Sequence, residues 1–429
     1  MTQRLFFLGI GGIGMSALAR WFHAQGAEVS GYDRNNTALT QALQKEGIGV
    51  DHTGATTALP LSLQEDILQK RTDRWTIVWT PAVPSEFSLL GRLRQAGFTV
   101  HKRAQILGKL SENRPVLAVA GTHGKTTTST LLAHLLHTGK IPVEAFLGGI
   151  SLGEGSNLLM AGRGQDRPWM VAEADEYDRS FLTLHPTCAA ITSIDADHLD
   201  IYGTHEQMLQ AFGQFSTQVK AGGLLWHVDV VKPLQKAALN TQALTPEIYG
   251  ELDPKSTLSD RGWAAGYAEV GPSGSEPTAK AKFMLHLKDH PPMEVLWNMP
   301  GPHNAANATA AAYLACRAGM DPAAIPSALA AFPGVARRFE IKYRSGGKAI
   351  IDDYAHHPTE VQGAIAAARQ TFPGRRLTGV FQPHLYSRTQ DFMDGFAQAL
   401  SELDNCLLLP IYAARENPIP GVDTQGIGE

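Results

Sequence analysis

Cysteine is scarce in this chain of 429 residues: Cys188, Cys316 and Cys406 are all there is, and they lie far apart. So few, in odd number and without C-x-x-C spacing, they exclude a disulfide scaffold and the common zinc and dithiol motifs. They read as small apolar residues of a reducing compartment. No apolar run is long enough to cross a bilayer; the opening "MTQRLFFLGIGG" is apolar for a few residues and then meets a glycine turn. An excess of one charge is also missing, since the formal net charge is -4. Neither nucleic acid nor an anionic membrane is therefore expected as a partner, and any anionic ligand must be met by local groups. There is no G-x-S-x-G or H-E-x-x-H, so covalent enzyme catalysis and zinc hydrolysis have no support. No low-complexity tract or convincing internal repeat appears. A soluble, cytoplasmic protein is expected.

What the chain has is length enough for two or three cores. Three segments each open with an apolar strand that runs into a polar or glycine-rich turn. The pattern predicts three α/β domains: an N-terminal Rossmann-like domain over residues 1–112, a central P-loop ATPase-like parallel sheet over 113–333, and a C-terminal Rossmann-like α/β domain over 334–429. A hairpin-like, Pro- and Gly-rich stretch from about Asp253 to Pro300 interrupts the second.

Two glycine turns carry the first functional signal. Gly9, Gly11 and Gly14 stand in G-x-G-x-x-G spacing, with Gly12 between them, directly after a strand and before a helix. Glycine there lets backbone amides approach a pyrophosphate at the helix N-terminus. Asp33 ends the next strand, where an acid can contact a ribose. By itself this predicts a dinucleotide site. The second turn, "AVAGTHGKTTTSTLL", resembles a phosphate-binding loop, yet Gly121 precedes Gly124 by three residues instead of five and Val119 occupies the usual glycine position. The amides of Gly121, Thr122, His123, Gly124, Lys125, Thr126 and Thr127 remain available to phosphate oxygens, Lys125 adds a cation, and the Thr126 hydroxyl can reach a magnesium ion.

A metal bound with a triphosphate needs carboxylates. "VAEADEYD" places Glu173 at a strand end, with Asp175, Glu176 and Asp178 beyond it. Glu173 is the preferred metal ligand; Asp175 and Asp178 suit a solvated or capping role equally well. In "SIDADHLDIYG", His198 stands among Asp195, Asp197 and Asp200 as a base, a metal ligand or a hydrogen-bonded scaffold, and histidine is an uncommon magnesium ligand. The residues alone leave that choice open. The third segment offers Asp352, Asp353, His356 and His357 in "DDYAHHPTE", then His384 and Arg388 in "FQPHLYSRT". Arg388 could hold a carboxylate through two parallel hydrogen bonds.

Taken in order, "GIGGIGMS", "GTHGKTTT", "EADE", "DADHLD", "GPHNAAN", "RRFE", "DDYAHHPTE" and "FQPHLYSRT" resemble the Mur ligase family over nearly the whole chain. The resemblance implies that the shortened loop binds ATP, with Lys125 on the phosphates and Thr126 and Glu173 around magnesium or manganese. It implies that His198 contacts a second divalent ion. Gly11, Gly12, Gly14 and Asp33 would then meet the UDP part of a sugar nucleotide, with no nicotinamide involved. Asn304 and Asn307 fall at the adenine element, and Arg338 and Asp353 at contacts to phosphate and ribose. His356, His384 and Arg388 fall where the incoming amino acid is received. The implied reaction joins L-alanine to the lactoyl carboxylate of UDP-N-acetylmuramate through an acyl phosphate. Lys125, Glu173, His198 and Arg388 are the implied catalytic set; oligomeric state is left open.

Two departures accompany the resemblance. Some members use a modified lysine beyond D-H-L-D, whereas counting on from His198 Phe212 stands near that place here and the first lysine met is Lys220, so no carbamylated lysine is expected. The chain also stops at "PGVDTQGIGE", earlier than a complete third domain by this resemblance, and a last strand is expected to be absent. A peptide-recycling ligase shares "GTHGKTTT" and "DYAHHPT", while "FQPHLYSRT" favours the alanine reaction. Outside the family, a nicotinamide-dependent oxidoreductase would use the first turn and Asp33 but leave the second turn without a role. An ATP-driven switch with no ligase activity is the third class.

Overall fold

A computed structural model describes residues 3–162, 164, 167–237, 244–252, 266–270, 281–414 and 416–428. The first segment forms five parallel strands, β1 (Arg4–Leu8), β2 (Glu28–Tyr32), β3 (Gly49–Asp51), β4 (Trp75–Trp79) and β5 (Val100–Lys102), in the order β3-β2-β1-β4-β5. The order reverses beside β1, which opens a crevice at the carboxyl ends of β1 and β4. The glycine turn follows β1 and feeds the helix Ile13–Ala24.

The second sheet has ten strands. They are β6 (Val116–Ala120), β7 (Val143–Ser151), β8 (Ser156–Leu159), β9 (Trp169–Ala174), β10 (Cys188–Ile191), β11 (Leu224–His227), β12 (Glu247–Leu252), β13 (Gly266–Val270), β14 (Ala281–Leu287) and β15 (Met293–Trp297). Their order is β15-β14-β13-β12-β11-β10-β6-β9-β7-β8, parallel from β13 to β7 and antiparallel at both edges. The hairpin-like stretch expected before Pro300 is β13 to β15; residues 253–265 and 271–280 of it lie outside the described residues. β6 reads "VLAVA" and is buried at every position, as a parallel strand covered on both faces must be. Its neighbours β9 and β10 put "EADEYD" and "SIDADH" at the same sheet edge as the loop after β6.

The third segment carries an antiparallel pair, β16 (Glu340–Ser345) with β17 (Lys348–Asp352), and a parallel pair, β18 (Thr378–Phe381) with β19 (Asn405–Leu408). The helices Tyr386–Asp391 and Met393–Leu400 make the crossover between β18 and β19. Among the described residues, no helix is long and apolar enough to cross a membrane.

One apolar cluster runs across the first two sheets, joining Leu5, Phe7 and Leu18 to Val116, Phe146 and Met170. Polar bonds pin the same seam. Trp21 Nε1 donates to Glu144 Oε2 at 2.9 Å and Arg114 NH2 donates to it at 2.6 Å. Asn157 is reached by Arg20 and itself donates to Ser16 Oγ at 2.9 Å. Glu144 is buried, so its removal leaves an indole N–H and a guanidinium with no acceptor. Glu144→Ala is expected to destabilise the first two sheets by about 2–4 kcal/mol, read as a lower urea midpoint of the tryptophan fluorescence transition.

Candidate active site

The loop after β6 turns into the helix Lys125–Thr138 through Gly124, whose φ of 80° lies in the left-handed region that favours glycine. The turn is cross-braced from β10. His123 N donates to Ser193 Oγ at 2.7 Å, Asp195 N donates to Thr122 Oγ1 at 3.0 Å, and Thr192 Oγ1 donates to Ala120 O at 3.0 Å. Lys125 Nζ donates to Gly121 O at 2.6 Å and Thr122 O at 3.3 Å, and meets Glu176 Oε2 at 2.8 Å. Burial works against the lysine's charge, but Glu176, Glu173 and Asp175 overcome it and raise the pKa. Thr127 is buried one residue beyond Thr126.

Glu173 leaves the end of β9 and accepts from Thr126 Oγ1 at 3.0 Å and from Gly148 N at 3.0 Å. Burial raises its pKa, against the pull of Lys125. Gly148 allows this approach, because a Cβ there would stand 2.2 Å from Glu173 Oε2. His198 caps the short helix Leu199–Tyr202, with its Nε2 3.7 Å from both Glu176 Oε1 and Asp197 Oδ2. Asp175 and Asp178 reach the first segment: Asp175 meets Arg103 NH2 at 3.0 Å, and Asp178 meets Lys102 Nζ at 2.5 Å. The side chain of Asp200 lies outside the described residues.

Glu173, Asp175 and His198 face a cavity of about 540 Å³ lined from all three segments, and the loop from Gly121 to Thr127 lies behind Glu173. The first contributes Gly12, Gly14, Thr80 and Arg103, the second Gly148, Glu173, Asp175 and His198, and the third Tyr354, His356, His384 and Arg388. Arg103 lies over Gly14, and Asp33 closes the first turn by accepting from Gly11 N at 2.9 Å. Arg388 is buried and donates through NH2 to Asp197 Oδ1 at 2.9 Å and Oδ2 at 3.1 Å. Despite burial, His198 and Arg388 hold the Asp197 carboxyl at about 2. The Tyr412 ring lies 5.5 Å from that of His384.

The remaining expected residues sit beside the loop, outside the cavity lining. Asn307 Oδ1 accepts from Thr128 Oγ1 at 3.1 Å and presses on Gly124, while Asn304 Nδ2 donates to Pro300 O at 2.7 Å one turn earlier. Asp353 accepts from Phe339 N at 2.7 Å and Ala355 N at 2.8 Å, and burial raises its pKa. Arg338 lies 3.8 Å from Glu360 and over the Tyr354 ring.

Three family models cover nearly the whole chain: the Mur ligase family catalytic domain over residues 4–115, the Mur ligase middle domain over 119–315, and the Mur ligase glutamate ligase domain over 337–429. The chain belongs to the Mur ligase family. It is 39% identical over 424 residues to a UDP-N-acetylmuramate--L-alanine ligase of Cytophaga hutchinsonii, covering 97% of this chain and 85% of that one. A protein of the same name from Christiangramia forsetii is 42% identical, with 98% and 86% covered. The crystal structure of the UDP-N-acetylmuramate-alanine ligase of Thermotoga maritima superposes with a TM-score of 0.74 at 26% identity, covering 95% of this chain and 85% of that one. A murein peptide ligase of Psychrobacter arcticus, 24% identical over 95% of this chain and 84% of that one, shares the fold at a TM-score of 0.70.

Several residues of this Mur ligase's site carried no separate signal in its sequence. Glu176, the buried partner of Lys125, stands in the same acidic run as Glu173, and only strand register decides which acid points inward. Arg103, Ser193 and Gly148 belong to no motif. Gly148→Ala is expected to force Glu173 off Thr126 and lower turnover by about 10- to 100-fold, with raised metal demand in a magnesium titration of the rate.

Proposed function

We propose that this chain joins L-alanine to the lactoyl carboxylate of UDP-N-acetylmuramate, with ATP converted to ADP and phosphate, as a step of peptidoglycan precursor synthesis. The observation that carries the proposal is the cavity, where the glycine turn of the first sheet, the acid Glu173 that Thr126 of the phosphate loop contacts from behind, and Arg388 with His384 meet. Each of the three substrates has one principal segment, the sugar nucleotide 1–112, ATP 113–333 and the amino acid 334–429, with the third segment also reaching ATP.

ATP is the phosphoryl donor. The amides from Gly121 to Thr127 and Lys125 receive its phosphates, and the lysine exchanges its bonds to Gly121 O and Thr122 O for phosphate oxygens. Asn304 and Asn307 serve adenine, and Arg338 and Asp353 serve phosphate and ribose. The hydroxyl of Thr126 and the carboxylate of Glu173 are hard oxygen donors that fit magnesium or manganese, and His198 stands where a second ion would touch it. Such an ion supplies charge neutralisation at the transferring phosphoryl group. Gly11, Gly12 and Gly14 offer the sugar nucleotide's diphosphate a turn that Asp33 shapes. The lactoyl carboxylate oxygen takes the γ-phosphoryl group, giving an acyl phosphate and ADP. The alanine amine then adds to that carbonyl, loses a proton, and phosphate departs from the tetrahedral centre. Arg388 holds the alanine carboxylate, with His356 and His384 beside it, so that the amine is aimed. Enclosure by three segments keeps water from the acyl phosphate.

A nicotinamide oxidoreductase leaves the buried Lys125–Glu176 pair and the Thr126–Glu173 contact without a task. The test is product formation from UDP-N-acetylmuramate and ATP with alanine, glycine, serine or a murein tripeptide. Alanine is expected to be used best; preference for the tripeptide, or NADH binding with indifference to UDP-sugars, would overturn the reading. Lys125→Ala is expected to cut acyl-phosphate formation at least about 100-fold while equilibrium binding of the UDP-sugar is retained. Arg388→Lys keeps the charge and loses the fork, so the KM for alanine should rise about 10- to 100-fold with those for ATP and the sugar nucleotide nearly unchanged. Steady-state assays varying one substrate at a time read this out.

A further inference from the structure

A line of titratable groups joins the nucleotide loop to the third segment, and the ligation chemistry gives no task to the His123 ring or the Glu360 carboxylate. Glu360 stands in the first turn of the helix Pro358–Thr371. Its Oε2 accepts from His356 N at 3.0 Å and lies 3.1 Å from His356 Nδ1. Its Oε1 lies 3.3 Å from His123 Nδ1 and 3.8 Å from Arg338. His123 is part of the phosphate loop, and its other nitrogen, Nε2, lies 3.2 Å from Asp195 Oδ2. One imidazole thus stands between two carboxylates, Asp195 of its own sheet and Glu360 of the third segment.

We propose that protonated His123 and Glu360 form a latch that holds the third segment closed over the nucleotide loop, making Glu360 a positioning residue for the ligation. The proposal rests on the reading that this loop receives ATP.

The charges around the latch agree with this assignment. Burial alone would lower the His123 pKa, but hydrogen bonds to Asp195 and Glu360 raise it to about 9. Glu360, although buried, is held well below the usual carboxylate range by His123, His356 and Arg338. His357, whose ring centroid lies 4.5 Å from that of His123, is pushed down to about 4 by burial and by the neighbouring imidazolium, against Asp197, Asp195 and Glu360. Of the paired rings, only His123 carries a proton charge at neutral pH.

His123, Asp195 and His357 have ligand atoms within 4.8 Å of one another, the spacing of a metal site. The local hydrogen bonding argues for the proton instead. Thr359 N donates to His357 Nδ1 at 3.3 Å, which places the neutral ring's hydrogen on Nε2 and leaves no lone pair there for a metal.

The sign of the pH effect follows. In the closed form His123 titrates near 9; withdrawn from Glu360 it titrates lower. The latch contributes fully below the open-form value and is lost as pH rises through about 9. Asp197 also bridges the two segments through Arg388, and its carboxyl, held at about 2, keeps its charge through that range.

The test labels the exposed Cys406 and a Leu68→Cys substitution on the first segment with a fluorescent donor and acceptor, and follows their separation without substrates. The expected result is a separation that lengthens as pH passes about 9, and a Glu360→Gln chain that is already lengthened at pH 7 and flat with pH. A constant separation in the unsubstituted chain, or a Glu360→Gln chain that tracks it, overturns the proposal. In the ligation assay Glu360→Gln is expected to lower kcat about tenfold with the UDP-N-acetylmuramate KM within about twofold, and Glu360→Asp to restore part of the loss. The titration with Glu360 intact needs only the Leu68→Cys change at a well exposed position and no catalysis, so failure of the latch and failure of the ligase reading are read apart.

Discussion

The site depends on one constraint: a buried ammonium that must have a carboxylate. Lys125 and Glu176 are both withdrawn from water, Glu176 to 1% exposure, and neither charge could remain there alone. Meeting that requirement ties the loop after β6 to the turn after β9, and the loop is tied in turn to β10 through Ser193 and Thr122. Three neighbouring parallel strands are thereby held at a common edge. The local charge also has a consequence. Glu173, Asp175 and Glu176 each favour the charge of Lys125, so that ammonium is already matched by carboxylates. Added cationic charge is needed for the phosphates to bind, and Thr126 and Glu173 are the oxygen donors in position to hold it.

The family and the elements bearing its motifs were legible because glycine turns and apolar strands leave local marks. Gly9, Gly11 and Gly14, the loop from Gly121 to Thr126, and Glu173 at a strand end could each be read from a few adjacent residues. What could not be read is what depends on distant pairing. Nothing in "EADEYD" says that Glu176 reaches Lys125 while Asp175 and Asp178 reach Arg103 and Lys102 of the first segment; the choice is made by β9 lying between β6 and β7. Arg388 was read as free to meet a ligand carboxylate, and in the folded chain it already has one in Asp197, 191 positions away in sequence. Gly148 gave no sign, since its value lies in what a Cβ would strike.

The apolar clusters are divided unequally, and the division bears on motion. The first two sheets share a continuous cluster from Leu5 to Leu234, sealed further by Glu144 and Asn157. The third segment has a small cluster of its own, built on Val361, Ile365, Phe381 and Phe396. Beyond Val335, which belongs to the core of the second sheet, it meets the others through polar groups such as Arg388 with Asp197, Glu360 with His123, and Gln370 with the Gly301 amide. Separating an apolar seam exposes surface that water rejects, whereas polar partners exchange one another for water at small net cost.

That inequality separates a rigid pair of sheets from a detachable third segment. The rigid pair can hold a sugar nucleotide and a phosphate loop in fixed relation, which is what transfer between two bound groups demands. Under the proposed function the third segment closes to bring Arg388 to the cavity and withdraws to let large nucleotides in and out. A polar interface suits both movements, because its contacts can be remade without desolvating a new apolar surface each time. Asp197 adds a further condition. While Arg388 is engaged by that carboxylate it is already at the cavity wall, so under the proposed function an arriving amino acid needs only to compete for a guanidinium that is in place, and the ordering of a long side chain is largely complete before the ligand binds.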